Sequence, residues 1–377
     1  MKIGIITFWE SNNNYGQILQ LFAMQAALKK MGHEPFLIKY HRIAPKNKQS
    51  FVERLINFNP VRSLKHRLDA PLREKSKQMD AKRRFQEFKE KHILFGKEAF
   101  KTLDSLKENP PKADVYLTGS DQVWNHTFKV SAEAFLLGFG GADVKRISYA
   151  ASYGVTEQDE ATQKMFKSYL KDFDGISVRE KSGVQLTEDL GHKAQWVLDP
   201  TLLFTKEDWV DLLELNKVGE QPGVKKEQVF MYMLGNSEIV DKDKFIAFAK
   251  ALPHKSVIHA TANSDFTGNA YPTIPEWVYN ISTSELVITT SFHGMIFCIL
   301  NNTKFIVLPN TGSAKGMNGR VESMLTALGL QEHIMTSFDQ EKVEYILGKE
   351  INWDKVNEFL AKWRVDSFNF LEKHINS

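Results

Sequence analysis

Short apolar runs of strand length alternate with helically spaced ones through most of this chain, and that alternation is what most limits its fold. In the second half the runs at 229–234, 256–260, 286–290 and 304–309 read as strands, and 239–252, 275–285, 293–301 and 319–328 read as helices. Strands separated by helices of this length predict parallel pairing with helices covering the sheet. The first half opens the same way. An apolar run at 2–8 is followed by Ile18, Leu19, Phe22, Ala26 and Met31 at helical spacing, closed by Gly32. Asn14, with Gln17 three positions on, predicts the start of that helix through a capping box. Further strands are expected at 35–40, 114–118, 146–151 and 175–178, with a mostly helical segment over 50–95.

At 377 residues the chain exceeds one compact core and suits two domains. We place them at 1–210 and 211–377, because Lys, Glu, Gly and Pro collect at 217–223. Apolar residues along 352–373 predict a long amphipathic helix that packs back on the N-terminal domain. Net charge is only +3, yet residues 41–100 hold 16 Lys and Arg against 7 Asp and Glu, leaving the rest at −6. The basic helical insertion at about 50–95 is thus either a solvated face or a point of peripheral contact with an anionic membrane. No nucleic-acid motif accompanies the charge, so no nucleic-acid partner is expected.

A single cysteine, Cys298, excludes an internal disulfide and a cysteine-based zinc site. The histidines lack the spacing of metal ligands, and neither a metal nor a cofactor is expected. No apolar run reaches the roughly 18 residues that span a bilayer, and Glu10 with three asparagines interrupts any signal-peptide core. The expectation is a cytoplasmic protein, free or at the inner face of the membrane.

Ligands of open α/β sheets collect beyond the carboxyl ends of strands. The polar residues there are Asn12, Asn13, Asn14 and Gln17; Ser120, Asp121 and Asn125; Arg179; and Ser291 with His293. Thr290-Ser291-Phe292-His293-Gly294 lies between two apolar runs and reads as strand, sharp turn and helix start. Open amide groups and the positive end of the helix dipole suit that turn to an anion, with Ser291 and His293 as extra donors.

Five segments in order, Asn14-Tyr15-Gly16-Gln17, Gly119-Ser120-Asp121-Gln122-Val123-Trp124-Asn125, Ser177-Val178-Arg179-Glu180, Leu198-Asp199-Pro200-Thr201 and Ser291-Phe292-His293-Gly294, resemble the polysaccharide pyruvyl transferase family over nearly the full length. The resemblance implies two Rossmann-like domains in a GT-B-like arrangement. It also implies transfer of pyruvate from phosphoenolpyruvate onto two hydroxyls of a sugar or glycan acceptor, free or lipid-linked, to give a cyclic ketal during capsule, exopolysaccharide or cell-wall glycan assembly.

A phosphate and a carboxylate on one small frame call for cations and amides. Arg179 comes first as an anion holder, then Arg320 at a helix start and Lys315 in a glycine-rich loop, with Gly294 in the helix-start turn. His293 is the expected proton donor or phosphate partner and Asp121 the expected base, oriented by Ser120 and Asn125. Asn14 and Gln17 fit sugar hydroxyls as well as they fit capping. Trp124 is the aromatic to test for sugar stacking. The rivals are a nucleotide-sugar glycosyltransferase, for which Glu276 or Glu285 would clamp a ribose, and a non-catalytic glycan-binding or scaffold protein.

Overall fold

The computed structural model describes residues 1–41, 70–128, 132–234, 241–253, 255–262, 267–311 and 318–376. The basic stretch 42–69 and the loop carrying Lys315 therefore lie outside the described residues.

Two parallel sheets carry the fold. The first contains β1 (Lys2–Ile6), β2 (Glu34–Tyr40), β3 (Phe95–Phe100), β4 (Val115–Thr118), β5 (Lys145–Ala151), β6 (Gly175–Val178) and β7 (Gln195–Trp196) in the order β3-β2-β1-β4-β5-β6-β7. The second contains β8 (Lys226–Met233), β9 (Ser256–Thr261), β10 (Ser284–Thr289) and β11 (Lys304–Val307) in the order β11-β10-β8-β9. Every pairing is parallel. Chain order reverses between β1 and β4 in one sheet and between β8 and β10 in the other, which creates a crevice at each switch point.

In the first half the helices are α1 (Tyr15–Lys30), α2 (Ala70–Lys82), α3 (Phe85–His92), α4 (Leu103–Glu108), α5 (Ala132–Phe135), α6 (Glu160–Leu170), α7 (Lys181–Asp189) and α8 (Lys206–Leu212). The second half adds α9 (Lys242–Ala251), α10 (Ile274–Thr283), α11 (Phe292–Leu300), α12 (Gly319–Leu328), α13 (Gln340–Gly348) and α14 (Trp353–Asn376). The mostly helical segment expected up to residue 95 ends in a strand instead. β3 joins the edge of the first sheet through β2, a position where a short strand with exposed Lys97 and Glu98 needs only one apolar neighbour.

Asn14 caps α1 by accepting the Gln17 amide at 3.2 Å, while Gln17 Oε1 accepts the Ser11 amide at 2.9 Å. Only half of the expected capping box forms. α1 is buried on nearly every side, including Gln17, Gln20 and Gln25, because the second lobe covers the face that a peripheral helix would show to water. One apolar core joins Ile3 and Ile5 of β1 and the inner face of α1 to Tyr232, Trp277, Val287 and Phe297 of the second half. Tyr15 stacks on Trp277 at 5.0 Å and 8° and donates its hydroxyl to the Pro272 carbonyl. α14 lies against the first sheet: Trp363 meets Trp196 edge-on at 4.6 Å, Arg364 Nε donates to the Leu202 carbonyl at 2.8 Å, and Lys145 donates to the Ile375 carbonyl at 3.0 Å. Among the described residues no helix is long and apolar enough to cross a membrane.

Candidate active site

The turn after β10 is held from beneath. Thr289 Oγ1 donates to the Tyr232 carbonyl at 2.7 Å and accepts the Ser291 amide at 3.0 Å. Ser291 then caps α11 by accepting the Gly294 amide at 3.1 Å. A Cβ at Gly294 would stand 2.6 Å from Thr289 Oγ1, so this turn has no room for a side chain there. The cap leaves the first-turn amides of Phe292 and His293 as donors for an anion.

His293 projects from that helix start onto α1. A Cβ at Gly16 would lie 2.1 Å from His293 Nδ1, so the imidazole sits directly on a glycine of the opposite lobe. Its Nε2 is 3.3 Å from Asp199 Oδ2. That same oxygen accepts Arg179 Nη1 at 2.9 Å and Ser120 Oγ at 3.1 Å, while Asp199 Oδ1 accepts the amide and hydroxyl of Thr201 at 3.0 and 2.8 Å. Arg179 is 1% exposed and also faces Asp121 Oδ1 at 3.7 Å. Phe292 presents its ring to two guanidiniums, Arg179 at 4.8 Å and Arg320 at 5.3 Å.

The cations are incompletely paired. Arg179 Nε and Nη2 and Arg320 Nε are buried without a hydrogen-bond partner among the described residues, and His293 Nε2 has the Asp199 carboxylate 3.3 Å away. Buried N–H groups of charged side chains are seldom left unmade. Burial alone would raise the Asp199 carboxyl, but His293 and Arg179 outweigh it and hold that group far below the usual carboxylate range. Burial likewise opposes the charge on Arg179, and Asp199, Asp121 and Glu180 more than restore it. For Arg320 the same three carboxylates pull upward but do not suffice: desolvation and the charge of Arg179 push it down to about 10. A site in which one arginine is neutralised and a second is destabilised by its neighbour is ready to receive a negative charge.

The family model for polysaccharide pyruvyl transferase matches residues 14–312. The chain belongs to that family. No curated protein matches it. Among solved structures, the UDP-N-acetylglucosamine 2-epimerase of Rickettsia bellii is 11% identical, covers 100% of this chain and 97% of its own, and gives a TM-score of 0.53. The Methanocaldococcus jannaschii UDP-GlcNAc 2-epimerase, solved with UDP-GlcNAc and UDP, is 14% identical over 96% of this chain and 99% of its own, with a TM-score of 0.52. At such identities the likeness is one of fold: two Rossmann-like domains in a GT-B-like arrangement.

In this pyruvyl transferase family member, Arg179, Arg320, His293, Asp121 and Ser120 converge with Ser291 and Gly294 at one place. Other expected residues are occupied by the scaffold. Ser120 Oγ, fully buried, shares its one proton between Asp199 and the Ala150 carbonyl, so the scaffold engages it. Asn125 Oδ1 accepts from the amide and hydroxyl of Thr127, and its Nδ2 donates to Gln122 at 3.0 Å, so it shapes a turn and does not orient Asp121. The side-chain oxygens of Asn14 and Gln17 serve the start of α1. Asn12 and Asn13 are engaged by the insertion, through Lys89 at 3.0 Å and Asp80 at 3.3 Å.

Trp124 is fully buried with its Nε1 on the Phe135 carbonyl, which removes it as a sugar platform. Asp199 lies in the segment Leu198-Asp199-Pro200-Thr201, whose motif alone does not reveal its central position. The available signal was a lone carboxylate between Val197-Leu198 and Leu202-Leu203, where a charge must find partners. Glu276 accepts from Thr273 in a capping box and Glu285 pairs with Lys255, so neither is free to clamp a ribose.

Proposed function

We propose that this protein transfers the pyruvate unit of phosphoenolpyruvate onto two hydroxyls of a sugar, forming a cyclic ketal in surface polysaccharide or cell-wall glycan assembly. Membership of the family supports polysaccharide pyruvylation in general. The observation that carries the finer reading is the set of buried guanidinium N–H groups on Arg179 and Arg320 that no acceptor takes up, contributed by both lobes around Phe292.

In this reading Arg179, Arg320 and the amides of Phe292 and His293 hold the phosphate and carboxylate of the donor. His293 protonates the methylene carbon, making the central carbon electrophilic. Asp199 orients the imidazole and neutralises Arg179. The acceptor enters from the side of Asp121 and the 152–156 loop, and the basic composition of 42–69 suits an anionic or lipid-linked acceptor. The division into lobes at about residue 210 belongs to the same proposal.

The test is incubation of the protein with phosphoenolpyruvate and candidate glycans. The expected result is acceptor-dependent release of inorganic phosphate and a glycan heavier by one pyruvate less one water. Release of a nucleoside diphosphate from a sugar nucleotide, with phosphoenolpyruvate untouched, would establish the glycosyltransferase rival instead.

A further inference from the structure

Glu180 follows Arg179 at the cap position of α7 but makes no capping hydrogen bond there. Its Oε1 turns to the loop after β5, accepting Ser152 Oγ at 3.0 Å, the Tyr153 amide at 2.9 Å and the Gly154 amide at 3.4 Å. The residue is 2% exposed, and Oε2 has no hydrogen-bond partner among the described residues. The carboxylate is therefore fixed by one oxygen while the other is buried bare, an arrangement that costs stability unless a donor arrives. The loop it holds adjoins the site: the Arg179 amide donates to the Ala151 carbonyl at 3.2 Å, α12 with Arg320 packs on α7, and a Cβ at Gly319 would lie 4.0 Å from Thr156 Cγ2; both site arginines accordingly feel the Glu180 charge. Asp121 is differently placed: its Oδ1 accepts the Gln122 amide at 2.8 Å and faces Arg179.

We propose that Glu180 Oε2 is the base that receives the proton of the acceptor sugar's hydroxyl, with Asp121 positioning Arg179. The assignment rests on the pyruvyl-transfer reading. In the first addition the methylene carbon takes a proton from His293, a C–O bond forms between the sugar oxygen and the central carbon, and the hydroxyl proton passes to Oε2. The bond between that carbon and the phosphate oxygen then breaks, and Glu180 returns its proton to the departing phosphate. The second hydroxyl closes the ketal ring and its proton restores His293. Phosphoenolpyruvate and a diol thus yield a ketal and hydrogen phosphate, with both side chains regenerated.

Glu180→Gln separates the two oxygens of this carboxylate. The amide carbonyl keeps the three loop donors and an NH2 replaces the bare oxygen. Turnover should fall by about 10²–10⁴-fold, with phosphoenolpyruvate binding by calorimetry within threefold of the parent and the acidic limb of the pH profile for the acceptor lost. Glu180→Asp should recover part of the rate. Asp121→Asn should instead raise KM for phosphoenolpyruvate with kcat within tenfold. A Glu180→Gln enzyme within threefold of an active parent overturns the assignment. Loss of donor binding in both Glu180 variants would make the residue a loop support, which overturns it too. A parent that releases no phosphate from phosphoenolpyruvate with any acceptor overturns the reading beneath it.

Discussion

Asp199 Oδ2 is shared by a guanidinium, a hydroxyl and an imidazole edge, so its removal acts on both lobes at once. Asp199→Asn leaves Arg179 buried with a diminished counter-charge, and the expected loss of stability is about 3–5 kcal/mol by urea denaturation. The carboxyl is held below its unfolded value, so its contribution is complete above that value and lost as pH falls toward the folded one. The gap between parent and variant should narrow as pH falls below about 4; a gap that acid leaves unchanged would contradict the pairing. Gly16→Ala tests the other side of the imidazole. With the added Cβ placed 2.1 Å from Nδ1, either the ring or α1 must move. We expect a loss of about 1–3 kcal/mol and a larger fall in kcat than in donor affinity. Unchanged turnover would show that the position of the ring is unimportant. Neither residue had its role written in the sequence. The partners of Asp199 lie 20 and 79 positions away, and Gly16 reads as an ordinary helix glycine until His293 from the other half is placed on it.

At the scale of elements the sequence was most legible where apolar periodicity and caps agree. The strands at 286–290 and 304–309 and the helix at 319–328 appear within a few residues of their expected bounds. Short or polar elements were not legible: β3 and β7 carry too few apolar residues to stand out, and the depth of α1 depends on a neighbour the local pattern cannot show. Lys225, just before β8, is another case. Its ammonium reaches the carbonyls of Ser282 and Asn301, near the ends of α10 and α11, and the hydroxyl of Thr303. The residue as a whole is exposed, but its ammonium is turned in among these oxygens, and the desolvation of that group pushes it down to about 8, against an unfolded value of about 10.4. Between those values the unfolded chain binds more protons, so stability rises with pH, and the cost of the buried charge is present in full below pH 8. Lys225→Met should remove that slope. Thermal midpoints of parent and variant measured from pH 7 to 10.5 should show the parent gaining on the variant above pH 8, and parallel curves would refute the burial of a charged ammonium.

The two sheets would unfold separately if each lobe had its own core, as the sequence division at about residue 210 suggests on its own. The packing argues otherwise. α1 belongs to the first sheet by sequence, yet its buried face shares one apolar cluster with α10, α11 and β8. Tyr15 stacks on Trp277, and Tyr232 lies edge-on to both rings at 5.4 and 5.3 Å. The insertion adds a polar tie: Arg83, 2% exposed, bonds Asp80 at 2.7 Å and the Thr261 carbonyl at 2.6 Å, while Asp80 accepts from Asn13 of the first lobe. α14, last in sequence, returns to the first sheet. Opening one lobe therefore exposes apolar surface of the other, which couples their unfolding. Trp124 reports on the first lobe and Trp277 on the interface, so difference spectra of the parent against Trp124→Phe and against Trp277→Phe isolate each from the other five tryptophans. Their urea transitions should coincide with each other and with far-UV circular dichroism, and the calorimetric enthalpy should equal the van't Hoff value. Two resolved transitions would mean that the shared core is too weak to unite the lobes, and that the site between them opens without unfolding either sheet.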